Sequence, residues 1–466
     1  MASAYLERSI ESGSNGKTFT YSVWFKLSNL AGNHTIIGLS SDNNSTKYIE
    51  ACVKSNHRMD VQLRNGTSGD NGTYLRRRTN RLFRDVNAWY HFVLRVDSTQ
   101  ASASDRLRVY INGVEETSWE DSTGTMPQNY VTDLNNSGAD HRLGRGGGTS
   151  SFYMDGILSH FHLADGQSYG PDTFGETDST TGEWKIKTNP GISASDYGTN
   201  GFWILKDDNT GTDHSGNSHN FTTSGTITKT EDCPSNVFAT MNPLGNYVAA
   251  TTLSNGNNTV AMTTSKGGNL STIACTGGKY YAEMKVATMP TDSRFHIGIM
   301  PHPVVNADDP INTGNNGIML SGFNAVIYAN SGSGSAVFNN FYGNATGRFS
   351  GTPILGCAVD LSSATKTMAI SINGAWITGS NTTDSSFSNA LKVDISTPVA
   401  LEDDWFFGCG SGNGSGTTGV YNWNFGNGYF GTTAVSSAGT NASGNGIFEY
   451  DCPNGYTALS TKGLNS

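Results

Sequence analysis

An all-β fold is predicted, and three observations predict it. Apolar residues alternate with polar ones at period two in run after run, as half-buried strands do. Charged residues are only 15% of 466, while glycine numbers 57 and proline 12. Ser, Thr, Asn and Gly fill the gaps between runs, and no amphipathic helix of ordinary length stands out.

The elements follow in order. In TFTYSVWFKL (18–27) Phe19, Tyr21, Val23, Phe25 and Leu27 share one face. TIIGLSS (35–41) and MDVQLRN (59–65) come next. In AWYHFVLRVD (88–97) Tyr90, Phe92, Leu94 and Val96 form the inward row. RVYINGVE (108–115) places Asn112-Gly113 between alternating residues, a strong type I′ hairpin signal. GILSHFHLAD (156–165) closes this set. Short strands are expected around Trp184 and Phe202-Trp203, spaced by turns. The pattern then restarts with GKYYAEMKV (278–286), where Tyr280, Ala282, Met284 and Val286 alternate with polar partners. FHIGIM (295–300) follows, then a second Asn-Gly hairpin in AISINGAW (369–376), then YNWNFG (421–426). Two sandwiches of similar architecture explain the repeated turn.

These motifs resemble known families. Phe19, Trp24, Phe25 and Lys26, then Trp89, His91 and Asp97, then Tyr110 to Gly113, then Gly156, Leu158, Phe161 and Leu163 resemble, in that order, the laminin-G/concanavalin-A-like jelly roll. TNGFWILKDD, DHSGNSHNF and CPSNVFATMNPL resemble a module of marine tailed-bacteriophage virion proteins, where it joins a concanavalin-A-like domain to a SPRY-like one. The second set of strands, with PVALEDD (398–404), resembles SPRY, and the ending IFEYDCPNGYTALSTKGLN (447–465) resembles the tail of the same phage proteins, apart from Lys462-Gly463. The resulting division is a laminin-G/concanavalin-A-like sandwich at 1–168, a β-rich connector at 169–245, a SPRY-like sandwich at 246–431 and a closing segment at 432–466.

Charge and motif content narrow the function. A net charge of −10 speaks against general nucleic-acid binding. No apolar run approaches membrane-span length and the N-terminus carries no export-signal pattern, so synthesis in a host cytoplasm is expected. Six scattered cysteines include no C-x-x-C pair. Cys357 reads as a small buried apolar residue. Cys233 and Cys452, each in Asp-Cys-Pro, are a candidate disulfide set against two unrelated turns. Gly414 to Gly419 matches G-x-G-x-x-G, but a strand pattern follows where a dinucleotide site needs a helix. The E-x-D-x-x-E of jelly-roll glucanases is absent, and EETSWED (115–121) and LEDDW (401–405) read as loop or strand-end acids, so no catalytic residue is predicted.

Four candidate sites remain. Arg76, Arg77, Arg78, Arg81 and Arg84 form a basic cluster: a solvated strand edge, or a docking patch for an acidic neighbour. Asp207, Asp208, Asn209 and Asp213 offer oxygen ligands for Ca²⁺, or simply make Asx turns. Trp119, Trp405 and Tyr429 are candidate glycan-stacking residues, or rim residues of the core. His160 and His162 are expected on one strand face, as rim histidines rather than metal ligands. The resemblance implies a non-enzymatic virion surface protein, a tail fibre, capsid fibre or decoration protein. It would contact other virion proteins and host glycan, and assemble as a homo-oligomer, a trimer by likeness to fibres. A carbohydrate-binding lectin and a polysaccharide depolymerase are the alternatives.

Overall fold

The computed structural model describes residues 4–41, 46–65, 73–86, 88–147, 152–206, 211–247, 249, 251–262, 266–301, 317–329, 349–379, 382–400, 403–412 and 418–464. The chain forms two compact units, Met1–Lys229 and Thr230–Ser466. Both are β-sandwiches, and among the described residues the α-helices are the four-residue turns Ser396–Val399 and Thr461–Leu464.

In the first unit an eight-stranded sheet runs, edge to edge, through Trp119–Asp121, Thr73–Thr79, Met59–Asn65, Lys47–Val53, His34–Ser40, Asp140–Leu143, Tyr5–Ser9 and Thr222–Ser224. A six-stranded sheet orders Phe202–Ile204, Gly156–Asp165, Thr18–Leu27, Tyr90–Asp97, Leu107–Ile111 and Val114–Glu115. The inward rows read from the sequence meet in one core: Phe19, Tyr21, Val23, Phe25 and Leu27 pack with Phe92, Leu94, Val96, Val109 and Ile111. Asn112 and Gly113 have φ of 49° and 79°, as a type I′ turn requires.

The second unit repeats the plan. Met241–Tyr247, Gly268–Ser271, Trp405–Ser411, Phe295–Pro301, Ile318–Ser321 and Val326–Ala329 form one sheet. The other has ten strands, with Lys279–Thr288 between Gly419–Asn424 and Ile354–Asp360. Asn373 and Gly374 turn at φ 47° and 81°.

The predicted connector supplies strands to both units. Phe202–Ile204 extends the six-stranded sheet, Thr222–Ser224 the eight-stranded one, and Met241–Tyr247 opens the second unit. Its remaining stretch, 169–199, lies on the outer face of the first unit's six-stranded sheet, where Phe174, Tyr169 and Ile192 pack on Val93 and Tyr110. The second unit has the same third layer. Phe448, Cys452, Tyr456 and Ala458 from the closing segment pack on Tyr281, Ala358, Ala369 and Trp376 of the larger sheet.

Candidate functional site

The two sheets of the first unit are finished differently, and the difference locates the candidate surface. On the six-stranded sheet, His91 stacks on Trp24 (4.8 Å, 13°), and Trp184 lies nearly parallel beside it (6.0 Å, 15°). Trp184 Nε1 donates to His91 Nδ1 at 2.9 Å, and His91 Nε2 meets Ser22 Oγ at 2.8 Å. Burial alone pushes His91 down to about 3, so the ring is neutral. His162 stacks on Trp203 at 5.0 Å and bonds the Tyr197 hydroxyl at 2.9 Å. The rim placement expected for His160 and His162 is therefore corrected: both are buried against Trp203, with His160 at φ 46° in a register shift between Ser159 and His162. This face is closed.

The eight-stranded sheet is less covered. Its backbone register aligns polar residues into rows crossing several strands. One row is Tyr74, Arg64, Tyr48, Ser40, Asp140 and Ser9; the next is Arg76, Gln62, Glu50, Gly38, Arg142 and Glu7. Gly38 lies under the backbone of residues 145–147, where a Cβ would meet Arg145 O at 2.3 Å. That crossing segment bounds the surface on one side. Gln62 Oε1 accepts from the Tyr48 hydroxyl at 2.7 Å and the Tyr74 hydroxyl at 3.5 Å, and the Arg64 guanidinium lies 5.9 Å from the Tyr74 ring centre. Gln62, Arg64, Tyr74 and Arg76 are half-exposed. This half of the sheet presents a ring face, guanidiniums, an amide and hydroxyls on rigid strands. Sequence alternation in KYIEACV (47–53) and MDVQLRN (59–65) signalled the outward positions, but only the register brings them together.

The arginine cluster is largely consumed within the fold. Arg76 grips the buried Asp60 carboxylate through Nε (3.0 Å) and Nη2 (2.6 Å) and reaches Asp121 at 3.3 Å. Arg78 pairs with Asp60 at 3.2 Å and Glu120 at 3.0 Å, and Arg81 with Glu116 at 2.5 Å. Arg77 donates to the carbonyls of Arg76, Thr123 and Gly124. Burial pushes the Asp60 carboxyl up, and Arg76, then Lys54, pull it back. Arg84 is exposed and has no partner among the described residues. The acids of EETSWED and the arginines of 76–81 are thus each other's counter-ions, joined by pairing of Trp119–Asp121 with Thr73–Thr79. As a docking patch for an acidic neighbour the cluster is corrected, because four of its five guanidiniums are already engaged.

Of the proposed glycan contacts, Trp405 is a correction. It is 1% exposed in the second unit's core, and its Nε1 donates to Val399 O at 3.4 Å. Trp119 is half-buried and packs against the first core, and Tyr429 is half-buried on a short hairpin with Thr433–Ala434. Of the calcium candidates, Asp207, Asp208 and Asn209 lie outside the described residues. Asp213 accepts from the backbone of Trp203, Ser215 and His219 and from the Ser215 hydroxyl, the work of a loop organiser. No group of three or more His, Cys, Asp or Glu able to hold a metal ion occurs among the described residues. Cys233 and Cys452 are both free thiols. Cys357 lies in the core, its thiol pushed up by burial. Gly419 begins the strand Gly419–Asn424, and residues 413–417 lie outside the described residues.

Comparison with known proteins bears on this geometry. A family model described as Concanavalin A-like lectin/glucanases superfamily matches residues 2–167. No curated protein matches. Among solved structures, the SPRY domain of human HERC1 is similar at 14% identity and TM-score 0.27, over 39% of this chain and 96% of that one. Domains LG4-5 of the mouse laminin alpha1 chain are similar at 10% and 0.29, over 97% and 92%. The CBM40 of Ruminococcus gnavus IT-sialidase, bound to alpha2,3 sialyllactose, is similar at 13% and 0.26, over 37% and 96%. These are likenesses of architecture.

Proposed function

We propose that this chain is a non-catalytic carbohydrate-binding protein whose first sandwich contacts glycan on the outer face of its eight-stranded sheet, around Tyr74, Arg64 and Gln62. The observation that carries the reading is the unequal finish of the two sheets. One outer face is sealed by aromatic packing, while the other keeps half-exposed polar rows (Arg76–Gln62, Tyr74–Arg64) fixed by strand register. A sugar needs an aromatic face for its apolar side and paired donors and acceptors for its hydroxyls, and those side chains supply both. The match of residues 2–167 to a lectin-containing superfamily supports the same reading.

The test is binding of the full chain to a glycan panel, followed by calorimetry on any hit. Tyr74→Ala and Arg64→Ala should each weaken binding at least tenfold with an unchanged melting temperature, whereas Trp119→Ala and Tyr429→Ala should not. Equal binding by all four variants would sink the placement, and no glycan bound at all would sink the function.

Display on a tailed-phage virion, as a fibre or decoration protein that meets host glycan, is the finer form of this proposal. It rests on the resemblance of 199–244 and 447–465 to phage modules. Peptides of this chain in purified particles and a trimeric mass in solution are its expected outcomes. A free lectin would be missing from particles, and a depolymerase would shorten polysaccharide on incubation.

A further inference from the structure

The layer over the six-stranded sheet is held by hydrogen bonds that fix a protonation state. An indole N–H can only donate, so the 2.9 Å contact from Trp184 Nε1 makes His91 Nδ1 an acceptor and leaves the ring proton on Nε2, toward Ser22 Oγ. A second proton would set N–H against N–H at the centre of the layer. Trp184 sits close on two glycines. Cβ positions built on Gly113 and Gly175 fall 2.5 Å and 2.6 Å from its ring, so the indole is wedged between the hairpin turn and its own strand pair. Nearby, His162 lies against Trp203, Phe174 and Tyr197, again with rings on every side.

Among the described residues the acids around these imidazoles are committed elsewhere: Asp213, which bonds the Trp203 N–H and acts on the Tyr197 hydroxyl, also holds Ser215 and His219. The strand Thr18–Leu27 contributes Ser22, Trp24 and Lys26 to this face; Tyr90–Asp97 contributes Arg95; Leu107–Ile111 contributes Arg108 and Tyr110; Gly156–Asp165 contributes His160 and His162. On the covering segment Lys185 pairs with Glu176 and Asp178, Lys187 bonds the Asp172 carbonyl, and Asp196 bonds Ser193. Glu115 pairs with Arg108, which also holds Asp105.

We propose that residues 169–199 are an acid-released cover: protonation of His91 and His162 detaches the segment and bares the outer face of the six-stranded sheet. The cover closes over neutral rings. Once it lifts, both rings meet water and titrate in the ordinary histidine range, so acid favours the lifted state. Between pH 7.5 and pH 5 that bias grows by about thirty-fold for each histidine. Burial holds both rings well below the ordinary value while the cover is closed. The device is independent of the glycan reading, since it lies on the opposite sheet.

Hydrogen exchange of the full chain, read by mass spectrometry and corrected for intrinsic rates, tests the proposal. Peptides from 169–199 should lose protection between pH 7 and pH 5 while peptides from Thr18–Leu27 keep theirs. The double variant His91→Gln, His162→Gln keeps an acceptor for Trp184 and a donor for Ser22 but cannot titrate in this range, and should stay protected at pH 5. Trp184→Phe keeps both histidines but gives up the bond to His91 Nδ1 that holds the neutral, closed cover, and should open at a higher pH than the wild type. Protection of 169–199 down to pH 4.5 in the wild type overturns the proposal, as does opening of the double variant at the wild-type pH. Should the double variant not fold, an unchanged opening pH in Trp184→Phe overturns it alone.

Discussion

The two units solve one problem with opposite chemistry. Each is a sandwich whose second sheet is covered by the segment that follows it, and each sets an aromatic ring of that segment on the glycine of an Asn-Gly hairpin. Trp184 sits over Gly113, and Tyr450 sits 2.4 Å from a Cβ placed on Gly374. The repeated Ile-Asn-Gly is thus both a turn and a seat. The polar anchor beneath the ring differs. In the first unit it is the neutral imidazole of His91. In the second it is the buried carboxyl of Glu283, whose oxygens accept from the backbone N–H groups of Glu449 and Tyr450, both at 2.9 Å, from Asn424 Nδ2 at 3.2 Å and from the Tyr281 hydroxyl at 3.1 Å. Composition follows the same division: eight of ten histidines fall in residues 1–229. Similar architecture therefore does not imply a similar response to solution conditions.

The largest expected effect is on pH dependence. Burial holds His91 and His141 down at about 3 in the fold, against about 6.5 unfolded. For such groups the unfolded chain binds the extra proton, so their stability is present above pH 6.5 and is lost as pH falls toward 3. Between pH 7.5 and 5 each should cost the first unit about 2 kcal/mol. Glu283 runs the other way. Burial outweighs its four donors and raises it from 4.5 to about 7, so its contribution is complete below pH 4.5 and is lost as pH rises through 7. Calorimetric scans at pH 5 and 7.5 should show the two transitions moving in opposite directions, the second unit gaining about 2 kcal/mol at the lower pH. Parallel shifts would break the comparison.

A sharper cut is Glu283→Gln. The side-chain amide would turn an N–H₂ toward a pair of groups that can only donate or are already committed, leaving a buried donor unmatched. A loss of about 3 kcal/mol is expected in the second transition, with the first unmoved. The pH response of the second unit should vanish with it. If the variant melts like the wild type, the closing segment is held by its apolar contacts alone.

How much of this was legible beforehand depends on range. Local signals carried well: the inward rows of 18–27 and 88–97 and both type I′ turns are set by alternation and by which residues tolerate positive φ. What escaped was pairing between distant segments. The arginines of 76–81 read as a solvated edge or a docking patch and the acids of 115–121 as loop or strand-end residues, because strand register, not composition, makes them partners. His91 belonged to a motif but gave no sign of a lid, since Trp184 arrives from nearly a hundred residues away. Trp405 sits in an acidic stretch that reads as a loop, yet it opens a central strand, and an aromatic so placed is core. The polar rows around Arg64 failed for the same reason. Each strand shows its outward residues, but no strand shows its neighbours.

The smallest effect tests the shared element directly. Gly113→Ala and Gly374→Ala each place a methyl inside the van der Waals contact of an aromatic ring, at φ values of 79° and 81° where an L-residue is strained. Strain of about 1 kcal/mol plus overpacking of about 1 kcal/mol gives about 2 kcal/mol for each. The loss should appear in a different transition for each variant, measured by calorimetry at pH 7. The two should part company at pH 5. There the first cover is already loosened, so Gly113→Ala should cost less than at pH 7, while the second is tightened and Gly374→Ala should keep its full cost. Equal losses at both pH values would mean that the seat under the ring and the polar anchor beside it act independently. A smaller loss at pH 5 for Gly113→Ala alone would show that the first seat and its imidazole act as one latch.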